Sequence, residues 1–127
     1  MIAGIGIDIV ELRRIAQIHD RYREKFARRI LDEVEMQEYL QAPSKEKLLA
    51  KRFAAKEAAS KALGTGFSGG ISLHMIAIRH DEHGKPLLAL RDKAAACADN
   101  LGVVNQLLSI SDEHNYAIAM VVLETAD

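Results

Sequence analysis

The segment Arg52-Phe53-Ala54-Ala55-Lys56-Glu57-Ala58-Ala59-Ser60-Lys61 spaces an aromatic ring, a carboxylate and an ammonium four residues apart, at Phe53, Glu57 and Lys61. Residues four apart stack on one face of a helix. The neighbours Ala54, Ala55, Ala58, Ala59 and Ala62 are small, so other backbone or a ligand can approach this helix closely. Glu four residues before Lys is also the favoured order of an ordinary helix salt bridge, worth about 0.2–0.5 kcal/mol. The pair alone therefore specifies nothing. A second carboxylate, Asp8, shares its strand face with Gly4 and Gly6, and glycine within a strand often marks close approach of another backbone or a ligand. Asp8 reads equally well as a residue that caps or ends the strand. Two carboxylates meeting across a strand–helix contact offer the hard oxygens that hold Mg²⁺, leaving other positions to water and phosphate. Arg52, Lys56 and Lys61 are placed to neutralise further phosphate charge. The pattern predicts a metal-bridged pyrophosphate site.

The elements that would position these groups can be followed along the chain. Residues 1–10 alternate as a strand, with Met1, Ala3, Ile5, Ile7 and Ile9 expected on the core face and Ile2, Gly4, Gly6, Asp8 and Val10 on the other. From Glu11 to Ile30 the spacing of Leu12, Ile15, Ile18, Tyr22 and Phe26 predicts a helix, with an interruption near His19-Asp20. Arg13, Arg14, Arg21, Arg23, Lys25, Arg28 and Arg29 fall on its other faces. Such a charge run is a solvated face or a docking surface for an acidic partner. Asp32-Glu33-Val34-Glu35 has the form of a capping box opening a short helix through Leu40. Pro43 interrupts, and Ser44 can cap a long helix from Lys45 to Leu63 that Gly64 stops.

Gly64-Thr65-Gly66-Phe67-Ser68-Gly69-Gly70 follows that helix instead of opening one, so it is no P-loop. A strand at Ile71–Arg79, a turn around Gly84-Lys85-Pro86, a return strand at Leu87–Leu90 and an Ala-rich helix at Arg91–Leu101 come next. Leu107–Ser111 and Tyr116–Leu123 form a closing hairpin. The expected fold class is α+β, an antiparallel-leaning sheet packed against one long central helix.

Composition limits the function classes. The chain has 127 residues, 14.0 kDa, 49% hydrophobic and 28% charged, which suits a single globular domain over residues 1–127. A formal net charge of −1 provides no overall basic field for nucleic acid, and no stretch approaches the roughly twenty apolar residues of a membrane span. The start lacks a basic leader and contains Asp8, and the single Cys97 cannot form an internal disulfide. A cytoplasmic protein is expected. Neither a zinc-ligand spacing nor a Gly-x-Ser-x-Gly elbow is present.

Ile5-Gly6-Ile7-Asp8 and Phe53-x-x-Lys56-Glu57-Ala58-x-x-Lys61 resemble the two signature motifs of the phosphopantetheinyl transferase superfamily, in its short single-domain branch. The resemblance extends through Gly4–Glu11, Arg29-Ile30-Leu31, Lys51–Gly66, Gly84-Lys85-Pro86 and Tyr116-Ala117. It implies transfer of the phosphopantetheine arm from coenzyme A to a serine of apo-acyl carrier protein. Asp8 and Glu57 are then implied to hold Mg²⁺, with Lys61 supporting the phosphates. Glu57 is implied to accept the serine proton, directly or through a metal-bound water. Arg52, Phe53, Lys61, Gly64, Thr65, Gly66, Lys85 and Pro86 are implied to bind coenzyme A, and Arg14, Arg21 and Arg28 to dock the acidic carrier. Larger relatives carry two such halves in one chain, so this chain resembles the branch that forms a homotrimer with sites at subunit interfaces. It departs from many relatives after Ser109-Ile110-Ser111, where Asp112 follows in place of a histidine and His114 comes two residues later. Two other readings stand beside this one. Mg²⁺-dependent pyrophosphate hydrolysis would use the same metal chemistry, and a non-catalytic module binding acidic proteins would need only the basic helix.

Overall fold

The computed structural model describes residues 1–126. Its centre is the helix α4, Lys45–Leu63. The Ser44 side chain accepts a hydrogen bond from the Lys47 amide at 3.3 Å at its start, and Gly64 ends it in the left-handed conformation at φ 83°. Ala50, Ala54, Ala55, Ala58, Ala59 and Ala62 are all buried. This alanine surface lets neighbouring elements reach the helix backbone from several sides.

Against it lies a three-stranded antiparallel sheet in the order β1–β5–β4, formed by β1 (Ile2–Glu11), β4 (Val103–Asp112) and β5 (Tyr116–Thr125). A separate antiparallel pair joins β2 (Ile76–His80) to β3 (Pro86–Leu90). The α+β class is as expected, but the strands form two sheets. Ile71–Arg79 opens with a 3₁₀ turn at Leu73–Met75 before β2 begins, and β4 starts four residues earlier than the hydrophobic run suggests.

The strand faces are the reverse of the expected ones. In β1, Gly4, Gly6, Asp8 and Val10 turn towards α4, in line with Leu123, Val121, Ala119 and Ala117 of β5. Ile5, Ile7 and Ile9 point outward and are 61%, 54% and 61% exposed. The reason is steric. A Cβ on Gly4 or Gly6 would lie on the backbone carbonyl oxygen of Ala62 or Ala58, so only glycine admits the strand this close to the helix. An isoleucine face could not replace it.

The basic segment is also divided. It forms α1 (Leu12–Tyr22) and α2 (Glu24–Ile30), separated at Arg23, whose φ of 50° breaks the helical path. The interruption thus falls after His19-Asp20. The predicted capping box is present, with Asp32 opening α3 (Glu33–Gln41): its Oδ1 accepts from the Glu35 amide at 3.0 Å, and Glu35 Oε1 accepts from the Asp32 amide at 3.0 Å. The Ala-rich helix α5 covers Asp92–Asn100, ahead of Gly102.

Glu35 does more than cap. Its Oε1 also accepts from Lys56 Nζ at 2.7 Å, and Lys56 donates further to the carbonyls of Ile30 at 2.7 Å and Leu73 at 3.2 Å. Both side chains are fully buried. Burial is expensive for a charge unless its partners are complete, and the ammonium here has three acceptors for three protons. Lys56 is therefore an internal tie between α4, α2, α3 and the turn before β2. The expectation that it neutralises phosphate is corrected.

Candidate active site at the strand and helix contact

The close approach of β1 to α4 sets Asp8 beside the Glu57 and Lys61 face. Lys61 Nζ donates to Asp8 Oδ1 at 3.1 Å and to the Ile7 carbonyl at 3.0 Å. Asp8 is largely covered, whereas the Lys61 side chain is 53% exposed, so the ammonium lies at the mouth of the site. Ser60, next to these groups, turns its hydroxyl back to the Glu57 carbonyl at 2.8 Å. It is fully occupied by its own helix.

Burial first, and then the negative charge of Asp8, push the Glu57 carboxyl above its ordinary pKa of 4.5, against an opposing pull from Lys61. A carboxylate whose ionisation is opposed by a neighbouring carboxylate marks a place where a cation is favoured. Hard oxygens of this kind suit Mg²⁺, and the donor set of Asp8 and Glu57 fits one, with the remaining positions free for water and ligand oxygens.

The other expected residues are distributed along the molecule. Phe53 lies half-buried one turn before Glu57 and packs on the core. Gly64, Thr65 and Gly66 leave the C-terminal end of α4, Gly64 and Gly66 with positive φ, and the Gly66 amide donates to the Ser60 carbonyl at 3.2 Å. This loop begins three residues beyond Lys61, adjoining the site. Lys85 and Pro86 lie at the turn into β3, on the separate two-stranded sheet. Arg14 and Arg21 are exposed on α1, while Arg28 belongs to α2 and pairs with Glu24 at 3.5 Å. The seven-residue repeat of these three arginines is not one continuous helical stripe, because Arg23 breaks it.

Arg52 is not at the Asp8 and Glu57 face. It is 5% exposed, with one guanidinium nitrogen 3.3 Å from Glu38 Oε1 and Nε 3.6 Å from Glu35 Oε2. Asp112, which follows Ser109-Ile110-Ser111, meets Lys47 at 3.4 Å. Several polar groups escaped the sequence reading: Glu35, Glu38, and the Asp32–Arg79 pair, whose closest atoms are 2.5 Å apart. Burial alone would raise the Asp32 pKa, but the Arg79 guanidinium and the capping amide hold it at about 2. Only the capping box signalled any of them in advance.

The raised Glu57 pKa fixes a sign. Its contribution to stability is present below the ordinary value of 4.5 and is lost as pH rises through the elevated value, so metal-free protein at neutral pH carries a penalty. Glu57→Gln should melt higher than the wild type at pH 7 in a chelator, with the difference closing in acid. Equal melting at both pH values would contradict this electrostatic picture.

A family model of the 4'-phosphopantetheinyl transferase superfamily matches residues 4–121. The chain is 51% identical over 124 residues to the holo-[acyl-carrier-protein] synthase of Vibrio cholerae, with 98% of each sequence covered. The crystal structure of holo-[acyl-carrier-protein] synthase from Neisseria meningitidis superposes with a TM-score of 0.92 at 43% identity, covering 98% of this chain and 100% of that one. The Bacillus anthracis synthase, crystallised in complex with CoA (3',5'-ADP), superposes with a TM-score of 0.83 at 41% identity over 99% of both chains. With the glycine-cleared Asp8 strand and the Lys56-Glu57-Ala58 helix both inside the matched region, the chain belongs to the 4'-phosphopantetheinyl transferase superfamily.

Proposed function

We propose that this protein is a holo-[acyl-carrier-protein] synthase, moving the 4'-phosphopantetheine group of coenzyme A onto a serine of apo-acyl carrier protein in support of fatty acid synthesis. The observation that carries the reading is the convergence of Asp8, Glu57 and Lys61 at one strand–helix contact. In the reaction the serine oxygen bonds to the phosphorus bearing the pantetheine arm. The pyrophosphate bridge breaks, and adenosine 3',5'-bisphosphate leaves with the bridging oxygen. Asp8 and Glu57 would hold Mg²⁺, which supplies positive charge to the phosphate oxygens when bound.

The chain's own groups supply the rest. Lys61 holds the Asp8 carboxylate in place through its 3.1 Å contact, and its exposed ammonium can meet phosphate. Glu57, beside Asp8 and Lys61, would accept the serine proton, directly or through a metal-bound water. Coenzyme A would extend along Gly64, Thr65 and Gly66, with Phe53 beside it and Lys85 and Pro86 towards the adenosine. Arg52 would serve a nucleotide phosphate by exchanging it for Glu38. The exposed Arg14 and Arg21 of α1, with Arg28 of α2, suit an acidic carrier surface.

A homotrimer with sites at subunit interfaces fits the inverted strand face. Ile5, Ile7, Ile9, Leu107, Ile118 and Met120 form an exposed apolar patch on one side of the three-stranded sheet. Contiguous patches of this kind mark protein contacts. A neighbouring copy could also bring its Lys85 and Pro86 segment, carried at the edge of the separate two-stranded sheet, to the site. Among the described residues no helix is long and apolar enough to cross a membrane, in keeping with a proposed cytoplasmic location.

The direct test is to incubate the protein with coenzyme A, Mg²⁺ and bacterial apo-acyl carrier protein and to weigh the carrier. A gain of about 340 Da, the covalent mass of the arm, is expected, and it should be abolished by Glu57→Ala and by chelation. Release of free phosphopantetheine with an unmodified carrier would replace transfer by hydrolysis. For assembly, light scattering should give three times 14.0 kDa for the wild type and a monomer for Ile7→Asp. A monomeric wild type would refute the trimer.

A further inference from the structure

We propose that His19, Asp20 and Glu46 form a second divalent-cation site, of the zinc class, separate from the Asp8 and Glu57 pair. His19 lies in the last turn of α1, Asp20 follows it, and Glu46 is in the first turn of α4. One ligand atom from each lies within 4.8 Å of the others. Glu46 and Glu57 are eleven residues apart on α4, about 16 Å along the helix axis, so the two sites are distinct.

The imidazole provides an independent argument. His19 is 2% exposed, and its ring is fixed by a 2.7 Å hydrogen bond between Nε2 and the Tyr39 hydroxyl. In the tautomer that donates Nε2–H to that oxygen, Nδ1 is a bare lone pair, the form that binds a metal. Nδ1 is buried and has no hydrogen-bond partner. It faces Glu46 Oε1 at 3.6 Å. That separation is too long for a hydrogen bond, which spans about 2.7–3.2 Å. It is close to the edge of a tetrahedron with metal–ligand bonds of about 2.0–2.1 Å, roughly 3.4 Å.

Ligand chemistry selects the ion. One imidazole nitrogen with two carboxylate oxygens suits Zn²⁺ and its neighbours better than Mg²⁺, and water would complete the shell. The Tyr39 bond on the far nitrogen is the kind of outer contact that orients a metal-binding histidine. Asp20 is exposed and Glu46 half-buried, so both can adjust to an ion while the histidine stays fixed. Occupancy would brace α1, which carries Arg14 and Arg21, against the start of α4.

Calorimetric titration of the intact protein with Zn²⁺, in buffer already saturated with Mg²⁺, tests the site. One equivalent should bind and raise the melting temperature, and the His19 ring ¹⁵N signals should shift on addition. Affinity should fall at least tenfold in Glu46→Gln and in Asp20→Asn, whose altered side chains lie at the more open side of the cluster. His19→Gln should lose the equivalent as well, but it alters a buried ring, so the two carboxylate variants carry the decision. Absence of a saturable equivalent, or equal binding by Glu46→Gln, would reduce the contact to a histidine–glutamate ion pair and overturn the proposal.

Discussion

The fold depends on a contact between two backbones. β1 lies so close to α4 that Gly4 and Gly6 face the carbonyls of Ala62 and Ala58 with no room for a side chain. That distance explains the alanines of α4 and the glycines of β1 together, since a larger residue on either partner would force them apart. Two residues beyond Gly6 the strand carries Asp8, and beside Ala58 the helix carries Glu57. The residues that permit close packing are therefore the ones that bring the two carboxylates together.

A second constraint holds the helix from its opposite side. Lys56 is wholly buried, yet its ammonium is matched by Glu35 and by the carbonyls of Ile30 and Leu73. Glu35 in turn caps α3 and accepts from the Ile78 amide at 3.4 Å, which ties β2 into the same knot. Such a pair contributes little over a well-packed apolar substitute, but removing one partner alone leaves an uncompensated charge. Its role here is positional. Adjacent residues of α4 thus face in two directions, Lys56 into the internal network and Glu57 towards the site.

Much of this was legible because it rests on local rules. The Asp32 capping box, the Ser44 cap, the Gly64 stop and the extent of α4 follow from short-range hydrogen bonding and left-handed backbone geometry. The face of β1 was not. A period of two says that Ile5, Ile7 and Ile9 share a side, but not whether that side meets this chain's core or another molecule. Burial of the glycine face became evident only once α4 stood against it. Arg23 breaks the basic helix without the glycine or proline that usually announces a break. Lys56 looks like a free phosphate ligand in sequence because charge is visible there and burial is not, and the carboxylate that Arg52 meets is equally hidden in the sequence. Their partners Glu35 and Glu38 lie 21 and 14 residues away.

The central claim is that Asp8 and Glu57 share one electrostatic site. Carbon-detected NMR titration of the Glu57 carboxyl in metal-free protein, compared with Asp8→Asn, measures it directly. The account predicts a wild-type midpoint above 4.5 that moves down when the Asp8 charge is removed, leaving the elevation due to burial against the pull of Lys61. The same midpoint in both proteins would show that the two carboxylates do not act on each other, and the account of the site would fail.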